Sequence, residues 1–408
     1  MTIEIALYND ACDMANLGIT HTPKFTWCFL SLIADAGFTS ICWRVSNRGT
    51  FDYPSKIERF GMYSENGKSL SLVNDRVKSF DPLEVACQGA RDAGMKLYAH
   101  VTMFDEGCCW SPWLYTFFAQ KHPEFVMVDR DGRKCPWSDR EYASALCYAY
   151  PEVREYRLSL LKEILAYDID GILLDFYRWR ESYDPYGGIH YGYDKLVVER
   201  FRQKHGEDPF QLPYDDPRWL AEKCLDMTVF LREFRHLWRK EKPGLQVATF
   251  LPRNTRLCLY SQLDLKTWAE EGLVHEHVIF NRFEVERGLH SFYKNYRRVD
   301  HLGREPERIN DDCTPLAEGF EEVPYHRIGA EELARFRSLV GPNCKLICNI
   351  WPGRITGKWP EKIKLSANQF IEVAQAEMAD GADGICFDED LDAFNYLRAI
   401  RELAGRKV

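Results

Sequence analysis

The chain has 408 residues, 45% hydrophobic and 14% aromatic, with a formal net charge of −9. That composition sets a globular protein with a sizeable core, and the acidic balance argues against general nucleic-acid binding. No run of about 18 apolar residues occurs, so no membrane-spanning helix is expected, and the opening MTIEIALYND lacks the basic-then-apolar pattern of a secretory signal.

The predicted elements alternate from end to end. Residues 3–10 read as a first strand, followed by a helix over 24–36 and a second strand over 39–45. A long loop over 46–80 leads to a helix at 82–93 and a third strand at 96–104, after which an aromatic insertion covers 105–150. The helix at 152–167 carries Val153, Tyr156, Leu160, Leu161, Ile164 and Leu165 at a 3.6-residue period, and feeds strand four at 171–177. A Tyr/Gly-rich loop, helices near 193–205 and 216–241, and strand five at 245–252 come next. Strand six is placed at 277–281, strand seven at 345–350, and strand eight at 384–390, closed by a helix over 392–404.

Strands that alternate with helices, each nearly all apolar, imply a parallel sheet covered on both faces. No glycine-rich phosphate fingerprint follows the first strand, as dinucleotide folds require. The expectation is therefore an α/β fold, a single (β/α)8 TIM barrel spanning 1–408, with long insertions after strands 2, 3 and 4. Two segments repeat the unit that punctuates such a barrel: LAYDIDGILLD at 165–175 and MADGADGICFD at 378–388. Each ends a helix, breaks, runs apolar and stops at an aspartate. Asp175 and Asp388 thus fall at the C-terminal tips of strands, where barrels keep their chemistry.

Reading every strand end gives Asn9 and Asp10, Arg44, His100 and Asp105, Asp175 with Arg178, Arg253, Asn281 and Arg282, Asn349 and Trp351, then Asp388, Glu389 and Asp390. Strands four and eight are diametrically opposed, so Asp175 faces Asp388 or Glu389 across the mouth. Two opposed carboxylates are what glycosidic cleavage needs, one protonating the leaving oxygen and the other attacking or activating water. His100, Asp105, Trp351 and Asn281 are candidate sugar contacts. The arginines Arg44, Arg178, Arg253 and Arg282 either pair with strand-end acids or clamp an anionic sugar group. Of the aromatics in the insertions (Trp110, Trp113, Trp137, Trp179, Tyr183, Tyr186, Tyr191 and Tyr193), most are expected to pack their own loops. One or two could stack on a sugar face.

Other motifs carry less. His275-Glu276-His277 has a metal-like look but precedes strand six, which puts it at the bottom of the barrel. No HExxH, P-loop or GxSxG pattern exists, and neither metal nor cofactor is expected. The 14 cysteines are scattered, with Cys42, Cys87, Cys348 and Cys386 inside apolar patterns, which fits reduced thiols in a cytoplasm.

The segments HPEFVMVDRDGR (122–133), YAYPEVREYRLSLLKEIL (148–165), DGILLDFYRWR (170–180) and YDKLVVERFRQKHGEDP (193–209) resemble the glycoside hydrolase-like 10 family of bacterial TIM-barrel proteins, over roughly residues 80–300. The resemblance implies a (β/α)8 barrel that hydrolyses glycosidic bonds, with Asp175 at the family's fourth-strand acidic position. This chain departs from the family at Asp175-Phe176, where relatives often carry a doubled acid or Asp-Tyr. It also has no acid at the end of strand six, where Glu284 is the nearest carboxylate, and it shows no export signal of the kind expected for secreted or lipid-anchored relatives.

The sequence reading is a glycoside hydrolase acting on an oligosaccharide or glycoside, with neither nucleic-acid nor membrane partner and with homo-oligomerisation left open. Asp175 serves as nucleophile or base, and Asp388 or Glu389 as acid or electrostatic partner. Two alternatives stand beside it: a barrel hydrolase or lyase specific for an acidic sugar such as a uronate or sialate, and an inactive carbohydrate-binding barrel.

Overall fold

The computed structural model describes residues 3–9, 22–47, 49–61, 79–107, 115–134, 145–176, 190–279, 327–351, 353–355, 362–388 and 390–405. Among these, eight parallel strands close into a barrel in chain order: β1 (Glu4–Asn9), β2 (Ser40–Arg44), β3 (Lys96–Thr102), β4 (Gly171–Asp175), β5 (Gln246–Leu251), β6 (Glu276–Ile279), β7 (Lys345–Ile350) and β8 (Gly384–Phe387). β8 pairs back onto β1 from Glu4–Gly384 to Leu7–Phe387. Each strand lies within a few residues of its predicted place. β6 starts at Glu276, one residue earlier than expected, so both Glu276 and His277 of the His-Glu-His segment stand inside the strand and only His275 precedes it.

The outer layer comprises α1 (Pro23–Ala36), α2 (Pro82–Asp92), α3 (Pro151–Leu165), α4 (Lys195–His205), α5 (Pro217–Glu241), α6 (Leu265–Glu270), α7 (Gly329–Val340), α8 (Ala367–Ala379) and α9 (Asp390–Leu403). Four of these begin with proline, whose missing N–H and fixed φ suit a first helical turn. Thr22, Asp81 and Asp216 cap three of them, accepting from Phe25 N at 3.1 Å, Leu83 N at 3.0 Å and Arg218 N at 2.9 Å. Ser366 and Gln369 form a reciprocal capping box at α8. Helix α7 was not among the predicted helices, although its buried Leu333, Phe336 and Val340 keep helical spacing.

Strand alternation separates two cores. Ile5, Leu7, Ile41, Trp43, Leu97, Ala99, Ile172, Leu174, Val247, Leu346, Cys348 and Ile385 face the helices. Ala6, Tyr8, Cys42, Tyr98, Leu173, Ala248, Phe250, Val278, Ile347 and Cys386 fill the barrel. The two-residue period then carries the inward face on to Arg44, His100, Asp175 and Asn349 at the C-terminal ends.

The sequence repeat has its structural counterpart at the opposite, N-terminal end. Asp170 and Asp383 each reach sideways to the preceding strand, accepting from Leu97 N at 2.9 Å and Leu346 N at 2.8 Å. The glycines that follow allow close contact: a Cβ on Gly171 would lie 2.5 Å from the Tyr98 ring and 2.8 Å from Gln246 O, and one on Gly384 2.6 Å from Glu4 O. Asp-Gly is thus a strand-locking unit used twice. On the same end, Glu4 pairs with Lys345 beside the buried Glu276. Burial, with the Glu4 charge adding to it, pushes the Glu276 carboxyl up to about 8 against the opposing pull of Lys345 and Lys96.

Candidate active site

The C-terminal ends of β3 and β4 bring two predicted residues together. His100 Nε2 lies 2.9 Å from Asp175 Oδ2, and both residues are 0% exposed. The pairing follows from register. His100 is level with Leu173, so Asp175 stands one inward step higher on the neighbouring strand, within reach of the imidazole. With Asp175 ionised, Nε2 carries the proton and donates it to the carboxylate. The Tyr8 ring lies 5.0 Å from His100 and 5.6 Å from Phe250, and the His100 and Phe250 rings are 6.3 Å apart. These two rings lie beside the imidazole, and low polarity strengthens a hydrogen bond to a charged group.

Arg44 is inward, buried and level with His100. Its Nε donates to Ser46 O at 3.1 Å. Asp388 and Trp351 are buried just past β8 and β7, and the Asp388 amide donates to Ile350 O at 3.1 Å. The described strands thus place Asp388 on the side of the mouth opposite Asp175, as the strand order requires. Arg253 lies half-buried beyond β5.

Asp105 is buried past the end of β3: its Oδ1 accepts from Gly107 N at 3.2 Å, and its charge acts on Arg157 of α3. Glu106 pairs with Arg157 and accepts from Thr116 Oγ1 at 2.8 Å. Burial pulls the Arg157 guanidinium down to about 10, still cationic at neutral pH. Arg178, Asn281, Arg282 and Glu389 lie outside the described residues, as do Asp10, Glu284, Trp110, Trp113, Trp137, Trp179, Tyr183 and Tyr186.

Tyr193 packs its own loop, its ring 5.0 Å from that of Trp219 and its hydroxyl accepting from Arg130 Nη2 at 2.8 Å. The His275 and His277 rings face different neighbours. His275 Nδ1 accepts from Val247 N at 3.0 Å, whereas His277 Nδ1 lies 2.5 Å from Thr249 Oγ1, on the outward face of the barrel. Among the described residues no cluster of three His, Cys, Asp or Glu side chains has metal-site geometry.

Tyr8 and Phe250 were not singled out from sequence, because each sits in a continuous apolar run and only closure of the barrel shows which way it points. The strand-end reading noted Asn349 without giving it a role. Its amide proves wholly buried, with neither Oδ1 nor Nδ2 hydrogen-bonded among the described residues. A small cleft lined by Phe104, Cys147, Gly192, Lys223, Asp226 and Gln262 lies outside the barrel, and none of the strand-end candidates lines it.

The family model described as "Glycosyl hydrolase-like 10" matches residues 22–288. Among curated proteins none matches the chain. Among solved structures, the glycoside hydrolase domain of PgaB (BpsB) from Bordetella bronchiseptica is similar at a TM-score of 0.61 and 11% identity, covering 100% of both chains. The α-galactosidase TtGalA from Thermus thermophilus gives 0.49 at 11% identity, over 100% of this chain and 62% of that one. A β-galactosidase from Rahnella sp. R3 gives 0.48 at 12% identity, over 99% and 55%.

Proposed function

This chain belongs to the glycosyl hydrolase-like 10 family, and from that premise we propose that it cleaves a glycosidic bond at the C-terminal mouth of its barrel. The fold is a glycoside hydrolase-type TIM barrel. In this reading residues 1–408 form one cytoplasmic catalytic domain that works without metal or organic cofactor on an oligosaccharide or glycoside. The observation that carries the proposal is the buried His100–Asp175 pair on β3 and β4, facing β8 with its terminal Asp388.

His100 fixes the orientation of the Asp175 carboxylate by donating to Oδ2. Asp175 then either attacks the anomeric carbon or takes a proton from the attacking water. Asp388 or Glu389 donates a proton to the departing oxygen, or stabilises the positive charge that develops on the sugar ring. Arg44, Arg178, Arg253, Asn281, Arg282 and Asp105 are proposed to position hydroxyl or anionic groups of the sugar, and Trp351 to stack on its apolar face.

The test is a panel of aryl glycosides and acidic oligosaccharides, assayed with wild type and Asp175→Asn. Cleavage by wild type and a loss of ~10³-fold or more in kcat for the variant are expected. An unimpaired variant would remove Asp175 from the mechanism. Turnover confined to uronate or sialate substrates would select the acidic-sugar reading. Binding without turnover would select the inactive carbohydrate-binding barrel.

A further inference from the structure

We infer that Asn349 is a sugar-contacting residue, whose buried side-chain amide takes hydroxyl groups of the substrate at the floor of the barrel mouth. The inference rests on the hydrolase reading above and extends it to a side chain with no role in that reading.

The direction of the side chain follows from strand alternation. On β7, Leu346, Cys348 and Ile350 join the core under the helices, whereas Ile347 belongs to the cluster inside the barrel. Asn349, two residues beyond Ile347, therefore points inward at the C-terminal end of the strand. It is level with Cys386 of β8, one inward step below Asp388. Burial comes second: Asn349 is 0% exposed, and neither Oδ1 nor Nδ2 has a hydrogen-bond partner among the described residues. A buried amide with both ends unmet is disfavoured, and the inward residues nearest in register, Ile347 and Cys386, would suit an apolar side chain there. His277 and Asp194 also carry unpaired buried atoms, but His277 lies on the outward face of β6 and Asp194 in the loop before α4.

Chemistry then selects the ligand. A carboxylate can only accept, so it would satisfy Nδ2 and leave Oδ1 unmet; an ammonium would do the reverse. A hydroxyl both donates and accepts, so one hydroxyl or a vicinal pair meets both ends of the amide. Water can fill the same place between turnovers, and a sugar hydroxyl reproduces the hydrogen bonds of that water. The glycone's hydroxyl array is the ligand class this amide fits.

The test uses the full chain, with 4-nitrophenyl glucoside, galactoside and mannoside and their monodeoxy counterparts, for wild type, Asn349→Leu and Asn349→Ser. Asn349→Leu is expected to keep or raise Tm by roughly 1–3 °C while lowering kcat/KM roughly 100-fold on the parent glycoside. On the one deoxy glycoside that lacks the contacted hydroxyl, wild type and variant converge. Asn349→Ser, which keeps one hydroxyl, retains more activity than Asn349→Leu.

A purely structural Asn349 would give a lowered Tm and an equal loss on every deoxy glycoside, and that result overturns the inference, as does unchanged activity. If wild type turned over none of these compounds, the hydrolase reading would fall by itself. Thermal shift with the same glycosides then decides on Asn349. A wild-type increase in Tm that Asn349→Leu lacks supports the contact, and no increase in wild type overturns it.

Discussion

Replacing His100 by alanine takes from Asp175 Oδ2 the imidazole nitrogen 2.9 Å away, in a place no solvent reaches. Breaking a buried charged pair from one side typically destabilises by about 3–5 kcal/mol, because the remaining charge is held away from water. His100→Ala is therefore expected to lower stability by about 3 kcal/mol in urea unfolding and kcat by ~10²-fold. His100→Gln, which keeps an N–H, should lose less of both. The double variant His100→Ala/Asp175→Asn should recover part of the lost stability, since no lone carboxylate is left. Additive losses in that cycle would mean that the two groups do not act as a pair. From sequence, Asp175 and His100 were separate candidates, 75 residues apart. Register alone makes them neighbours, and register is a property of pairing between strands that no single segment encodes.

At the scale of elements, the Asp-Gly units before β4 and β8 show how the chain fixes its register. Each aspartate bonds the amide of an adjacent strand, and each glycine leaves room for a neighbour that a methyl group would displace. Gly171→Ala must push both the Tyr98 ring and the Gln246 backbone, and backbone does not give way cheaply. A loss of about 2–4 kcal/mol is expected in urea unfolding, against well under 1 kcal/mol for Ser159→Ala, a half-buried residue of α3. Equal effects of the two substitutions would show that the barrel relaxes at Gly171. The repeat in the sequence is thus explained first by assembly. Its Asp170-Gly171 and Asp383-Gly384 pairs serve the N-terminal end, and only its last aspartates, Asp175 and Asp388, stand at the mouth.

At the scale of the whole molecule, buried carboxyls set how stability responds to pH. Burial, together with the charge of Asp226, raises Asp194 to about 7 although backbone N–H groups oppose it, and Glu276 is raised to about 8. Raised folded-state values mean that the folded protein holds these protons when the unfolded chain has released them. Stability is then fullest below about pH 4 for these two groups and falls as pH rises toward 8. For Asp194 the loss is on the order of 4 kcal/mol at most. Asp194→Asn is expected to flatten this decline, gaining stability at pH 8 and little at pH 4.5, as measured by urea midpoints across the range. An equal gain at both pH values would exclude titration of Asp194 as the cause.

The sequence by itself determined the barrel. Apolar runs, the 3.6-residue period of the helices and the repeated break before an apolar strand are local signals, each read within one or two turns of chain, and they placed all eight strands to within a few residues. It also marked Asp175, His100, Arg44, Asn349 and Asp388 as strand-end polar groups. Only the tertiary structure decided which of these meet. Closure and stagger of the sheet joined His100 to Asp175, set Tyr8 and Phe250 beside them, and paired Glu106 with Arg157. It also left the Asn349 amide buried and unmet among the described residues. Such contacts join residues far apart in the chain, and their geometry depends on how the strands tilt against one another. That is why a one-dimensional pattern can name the members of a site without telling which of them touch.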